Sequence, residues 1–198
     1  RKVAAAAADN LTPTTLELGG KSPCIIDRSV NLADAALKIA HGKLLNAGQT
    51  CIAPDYVLLP RGREAEFEQA FATAVARLFP TLAGNPDYAS IVSDRHHARL
   101  QSLLAEAQAQ GARVVDIQTG ASPSAASSRQ MNPALVFNAQ PGQRLMTEEI
   151  FGPILPVLPY DRLDDAIASI NAGPRPLALY WFGTDTAARD RVLQHTVS

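Results

Sequence analysis

From Phe67 to Leu78 apolar side chains return every three to four residues: Phe67, Ala70, Phe71, Ala74, Val75 and Leu78. That is the stripe of a helix with one face on a core. A second stripe, Leu32, Ala36, Ile39 and Ala40, follows Asn31, a residue suited to cap a helix start, with Asp34 near the positive end of the dipole. This helix is expected to end near Asn46 to Gly48. A third, carrying Leu100, Leu103, Leu104 and Ala107, is capped by Ser93 and stops at Gly111. Shorter helices are expected from about Asp164 to Asn171, ending at Gly173, and after Thr184 or Asp185.

Between the helices lie short apolar runs with strand character: Cys24 to Ile26, Tyr56 to Leu59, Arg113 to Ile117, Ala134 to Phe137, Ile154 to Leu158 and Leu177 to Phe182. Leu11 to Leu18, entered through Thr12-Pro13, reads as one more. Gly19-Gly20 marks a hinge or domain crossing, and the low-complexity run from Gly120 to Ser128 reads as a mobile surface loop. Helices alternating with apolar strands predict an α/β fold of three layers, a mostly parallel open sheet with helices on both faces.

Composition narrows the function. The 198 residues are 46% hydrophobic, enough for a sizeable core, and the net charge is −1. A balanced charge gives no footprint for nucleic acid or an anionic membrane, and no apolar run is long enough to span a bilayer. Two cysteines make no disulfide framework, so a reducing cytoplasm is expected. Arg1-Lys2-Val3 and five alanines loosely imitate a signal peptide but run into Asp9 and Asn10 without a cleavage pattern. They read as the interior of a longer chain. No Gly-x-Gly-x-x-Gly occurs, hence no sign of a dinucleotide-binding unit of its own.

Chemistry concentrates at Cys51, a thiol placed after a glycine turn in Asn46-Ala47-Gly48-Gln49-Thr50-Cys51. A thiol becomes strongly nucleophilic as the thiolate, so it needs a partner group. Glu17, between Leu16 and Leu18, reads as a carboxylate desolvated in an apolar strand and thereby suited to general-base work. Cys24, in an apolar run, reads as core. His96 and His97 point in different directions on a helix and read as a solvated helix start, not as metal ligands. Tyr180-Trp181-Phe182 reads as an alternating buried strand.

Three segments carry a resemblance. Glu17-Leu18-Gly19-Gly20-Lys21-Ser22-Pro23, then Asn46-x-Gly48-Gln49-x-Cys51, then Glu148-Glu149-Ile150-Phe151-Gly152-Pro153, stand in the order of the signature segments of the aldehyde dehydrogenase superfamily. The surroundings of Cys51, Asp87-Tyr88 to Ile91, Ser93 to His96 and Pro176 to Tyr180 resemble the class 3 branch and the bacterial coniferyl aldehyde dehydrogenases. The resemblance implies that residues 1–20 close a dinucleotide-binding domain whose N-terminal part is missing. Residues 21–198 would then be most of a catalytic domain, incomplete at the C-terminus.

The resemblance also assigns roles. Cys51 is the nucleophile and Glu17 the general base. Glu149 and Phe151 contact the nicotinamide ribose, while Leu18 and Gly19 lie against the nicotinamide. The cofactor is NAD or NADP, bound mainly by the missing domain, and the substrate is a small aldehyde, aromatic by branch. The parent is expected to be a cytoplasmic homodimer or homotetramer. Asn46 is expected to hold the cysteine loop through side-chain to backbone bonds. Two other classes stand beside this one: a cofactor-independent cysteine acyl transferase or esterase, and a folded module without catalysis.

Overall fold

A computed structural model describes residues 1–120 and 129–198. Six strands form one sheet in the order β3-β4-β5-β2-β1-β6. They are β1 (Pro23–Ile26), β2 (Tyr56–Pro60), β3 (Arg113–Asp116), β4 (Ala134–Phe137), β5 (Ile154–Tyr160) and β6 (Tyr180–Phe182). Every pairing is parallel except β3 with β4. Alternation along the strands sends side chains to two helical layers. Cys24, Ile26, Val57 and Leu59 face α2 (Leu32–Leu44), α3 (Glu64–Leu78) and α4 (Asp94–Ala109). Ile25, Tyr56, Leu58 and Tyr160 face α6 (Leu163–Asn171) and α7 (Thr186–His195). The three-layer, mostly parallel α/β expectation therefore holds.

The helix starts behave as their sequence predicts. The Asn31 side chain accepts from the Asp34 N–H, Ser93 from His96 and Asp185 from Ala188. Phe67 and Phe71, on successive turns of α3, are buried with ring centroids 5.8 Å apart.

Two strand expectations need correction. Residues 11–18 form no strand: they run exposed and without regular structure after a helix, α1 (Lys2–Asp9), which the alanine run builds. With no neighbouring strand to pair with, the stretch has nothing to bury its leucines against, and Leu18 is 81% exposed. The expected strand from Leu177 shortens to the three residues of β6, which are half-buried because β6 is an edge strand. Short helix α5 (Arg144–Thr147) was not foreseen. Of the predicted loop at 120–128, residues 121–128 lie outside the described residues.

Candidate active site

The site is built where two loops meet. The first begins as α2 breaks. Asn46 and Ala47 have left-handed backbones with φ of 51° and 52°, and Gly48 follows at 76°. Two non-glycine residues in that region cost about 1 to 2 kcal/mol each, so the loop must be held from outside. Gln49, nearly buried, supplies much of that hold. Its Nε2 donates to the carbonyls of Asn46 (3.0 Å) and Ser90 (3.1 Å), and its Oε1 accepts from the Val92 N–H (2.9 Å). Asn46 Nδ2 donates to the Gln49 carbonyl at 3.1 Å, a local side-chain to backbone bond of the expected kind. Past this knot Cys51 is exposed. Among the described residues its backbone N–H has no acceptor. The Tyr180 hydroxyl donates to the carbonyl of the next residue, Ile52, at 2.6 Å.

The second loop, 148–153, lies directly against the first. A Cβ placed on Gly48 would sit 2.6 Å from the carbonyl carbon of Gly152, so only glycine permits the contact. One placed on Gly152 would sit 2.6 Å from Leu100 Cδ1 on α4. Phe151 has φ of 54°, an outlier for an aromatic residue, at a cost of order 1 to 3 kcal/mol. The residue is 36% exposed.

The Glu149 carboxylate rests on the glycine hinge. A Cβ on Gly19 would come within 2.8 Å of Glu149 Cδ, and the Gly20 N–H donates to the carboxylate. Burial raises the Glu149 pKa, while the Gly20 N–H, Lys21 and Arg99 pull against it. Glu149 follows helix α5 and does not sit in a helical first turn.

Beneath both loops is a charged cluster that sequence reasoning missed. Lys21 Nζ bonds the Asp55 carboxylate and the carbonyls of Leu145 (2.8 Å) and Glu148 (2.9 Å). Asp55, nearly buried, also accepts from the Ile150 N–H at 2.9 Å. Lys43 on α2 is buried, and burial brings its pKa down from 10.5 to about 8, with Asp55 opposing the drop. Only the polar residues inside otherwise apolar runs could have flagged these groups. Cys24 is fully buried, as expected, and burial raises its thiol pKa.

Of the residues assigned from sequence, the fold brings Gly19 and Glu149 into contact and sets the Cys51 loop on the loop of Phe151. Glu17 and Leu18 stand apart on the exposed stretch, and Glu17 is exposed where a desolvated carboxylate was expected. His96 is also more engaged than a solvated helix start: its Nε2 lies 2.7 Å from the Phe151 carbonyl, with the rings edge to face. Among the described residues no group of His, Cys, Asp or Glu is placed to hold a metal. A cavity of about 610 Å³ lined by Lys21, Tyr56, Met146, Leu158, Ile170 and Pro176 lies beside the site, and neither Cys51 nor Glu149 lines it.

The sequence profile of the Aldehyde dehydrogenase family matches residues 1–197. The chain belongs to that family. A coniferyl aldehyde dehydrogenase of Pseudomonas sp. is 47% identical over 194 residues, covering 98% of this chain and 40% of the relative. Aldehyde dehydrogenase family 3 member A2 of mouse is 41% identical over 194 residues, covering 98% and 38%. The structure of a Mycobacterium tuberculosis aldehyde dehydrogenase complexed with NAD+ superposes with a TM-score of 0.86 at 32% identity, covering 99% of this chain and 41% of that one. The chain thus spans about two fifths of the length of these aldehyde dehydrogenases. Among the described residues no helix is long and apolar enough to cross a membrane.

Proposed function

We propose that this chain is the catalytic part of a longer NAD(P)-dependent aldehyde dehydrogenase that oxidises an aromatic, coniferyl-aldehyde-like substrate to the acid. On this reading residues 1–20 close the dinucleotide-binding domain and residues 21–198 belong to the catalytic domain. The observation that carries it is the Gly48–Gly152 contact, which joins an exposed thiol loop to a loop bearing a partly buried carboxylate and a half-exposed aromatic ring. The names of the relatives support the substrate class, and the NAD+ complex supports the cofactor.

The residues fit a nicotinamide nucleoside. A carboxylate offers about four acceptor sites, and one Gly20 N–H leaves Glu149 free to accept from sugar hydroxyls. The Phe151 ring offers an apolar platform. When bound, the nicotinamide supplies the acceptor for a hydride.

The Cys51 thiolate attacks the aldehyde carbon, forming a C–S bond as the carbonyl electrons move to oxygen. The Cys51 N–H donates to that oxyanion, and one such donor is worth about 3 to 4 kcal/mol. Loss of hydride from carbon leaves a thioester on Cys51. Glu17 then takes a proton from water, the hydroxide oxygen attacks the thioester carbon, and the C–S bond breaks to release the acid and restore the thiolate. Glu17 lies in the exposed stretch at 11–18, whose packing partners would come from the dinucleotide-binding domain. For that reason the chain alone is inactive toward aldehydes. On the same reading the parent is a cytoplasmic oligomer, and two free thiols accord with a reducing compartment.

The test is to complete the chain with the flanking segments of the Pseudomonas relative and follow NAD(P)H formation from coniferyl aldehyde. Activity lost in Cys51→Ala supports the mechanism. Activity retained in that variant overturns it, and p-nitrophenyl ester cleavage without cofactor or aldehyde oxidation would replace it with an esterase.

A further inference from the structure

Five consecutive residues of the second loop are gripped by one face of α4. Arg99 Nη2 donates to the Glu149 carbonyl at 2.7 Å and Nη1 to the Ile150 carbonyl at 2.9 Å. Nη2 also reaches the Glu148 carboxylate at 3.0 Å. One turn earlier, His96 Nε2 lies 2.7 Å from the Phe151 carbonyl, and its ring meets the Phe151 ring edge to face with centroids 6.2 Å apart. Leu100 closes on Gly152. Residues 96, 99 and 100 share one helix face, so the grip follows the 3.6-residue period.

The backbone it grips is the one that needs gripping. Phe151 is held with a positive φ, and a loop strained at such a residue persists only when its surroundings over-determine it. Relaxing that φ would swing the ring away from His96, which it meets edge to face. Arg99, by holding the Glu149 carbonyl, fixes the peptide from which the Glu149 side chain extends.

We propose that His96 and Arg99 are positioning residues that keep Glu149 and Phe151 in the conformation able to receive a nicotinamide ribose. This rests on the reading of those two residues as cofactor contacts. A loop in its competent conformation for only part of the time weakens apparent affinity by that fraction. His96, which bears no load in the core, therefore acts on cofactor binding and not on the thiol.

Two readouts decide it. In the 198-residue chain, amide hydrogen exchange at Phe151 and Gly152 should speed about tenfold in His96→Ala, while β5 stays protected. In the enzyme completed with the Pseudomonas segments, cofactor titration followed by fluorescence should show His96→Ala binding NAD(P) about tenfold more weakly. The KM for aldehyde and the rate of Cys51 alkylation should stay within about twofold. His96→Gln, which keeps a donor of similar reach, should recover most of both losses, and Arg99→Lys should lose affinity where Arg99's three bonds cannot be replaced by one ammonium. Unchanged exchange and affinity in His96→Ala, or losses that His96→Gln does not restore, overturn the proposal. Phe151→Ala separates the failures. If it weakens cofactor binding and His96→Ala does not, the grip is wrong and the cofactor reading stands. If Phe151→Ala leaves the affinity unchanged, the cofactor reading falls and this proposal with it.

Discussion

Lys43 lies buried among Asp55, Lys21, Cys24 and Glu149, and its amine is held near pKa 8 instead of 10.5. That difference corresponds to about 3 kcal/mol by which the fold disfavours the charged ammonium. Replacing Lys43 by Met keeps an unbranched apolar stem and removes the charge, while Asp55 keeps Lys21 and the Ile150 N–H. Between about pH 8 and 10.5 the unfolded wild type holds a proton that the folded one has lost. Unfolding therefore takes up a proton, and raising the pH favours the fold. Below about pH 8 both states are charged and the whole penalty stands; above 10.5 it is gone. The stability of Lys43→Met minus that of the wild type should accordingly be about 2 to 3 kcal/mol larger at pH 7 than at pH 10. Urea unfolding followed by circular dichroism at half-unit pH steps measures it. The packing change adds a constant, so only the slope matters. A difference that is flat across this range, or that grows with pH, refutes the reasoning.

Lys21→Met strips Asp55 of its ammonium partner and leaves a nearly buried carboxylate with one N–H. It should cost about 3 to 5 kcal/mol in the same urea assay. Gly48→Ala should destabilise by more than about 2 kcal/mol, through the positive φ and the collision with Gly152. Gly142→Ala, whose Cβ would meet nothing within 4 Å, should stay within about 0.5 kcal/mol. Tyr180→Phe removes the bond to the Ile52 carbonyl and should cost about 1 kcal/mol. It should also speed hydrogen exchange of the Thr50 to Ala53 amides; unchanged exchange would mean Tyr180 does not hold the thiol loop.

Much of this was legible in the sequence where structure follows from neighbours along the chain. The stripe of α3, the caps at Asn31, Ser93 and Asp185, and the strands read at Cys24, Tyr56 and Ile154 each come from local periodicity or a single side-chain bond. The motifs likewise pointed to both loops of the site. Residues 11–18 misled because an apolar extended run becomes a strand only beside another strand. The antiparallel direction of β3 is not encoded in its own alternation. Lys43, Asp55 and Lys21 meet from a helix, the entry to β2 and the segment after the glycine hinge, so their spacing carries no trace of the cluster. His96 looked solvated for the same reason: its partner is a carbonyl more than fifty residues away.

The touch of Gly48 on Gly152 leaves no slack between the two loops. A side chain on Gly48 would have to push the Gly152 carbonyl aside. A side chain larger than hydrogen at that seam is therefore accommodated only by paired changes, made on both sides at once.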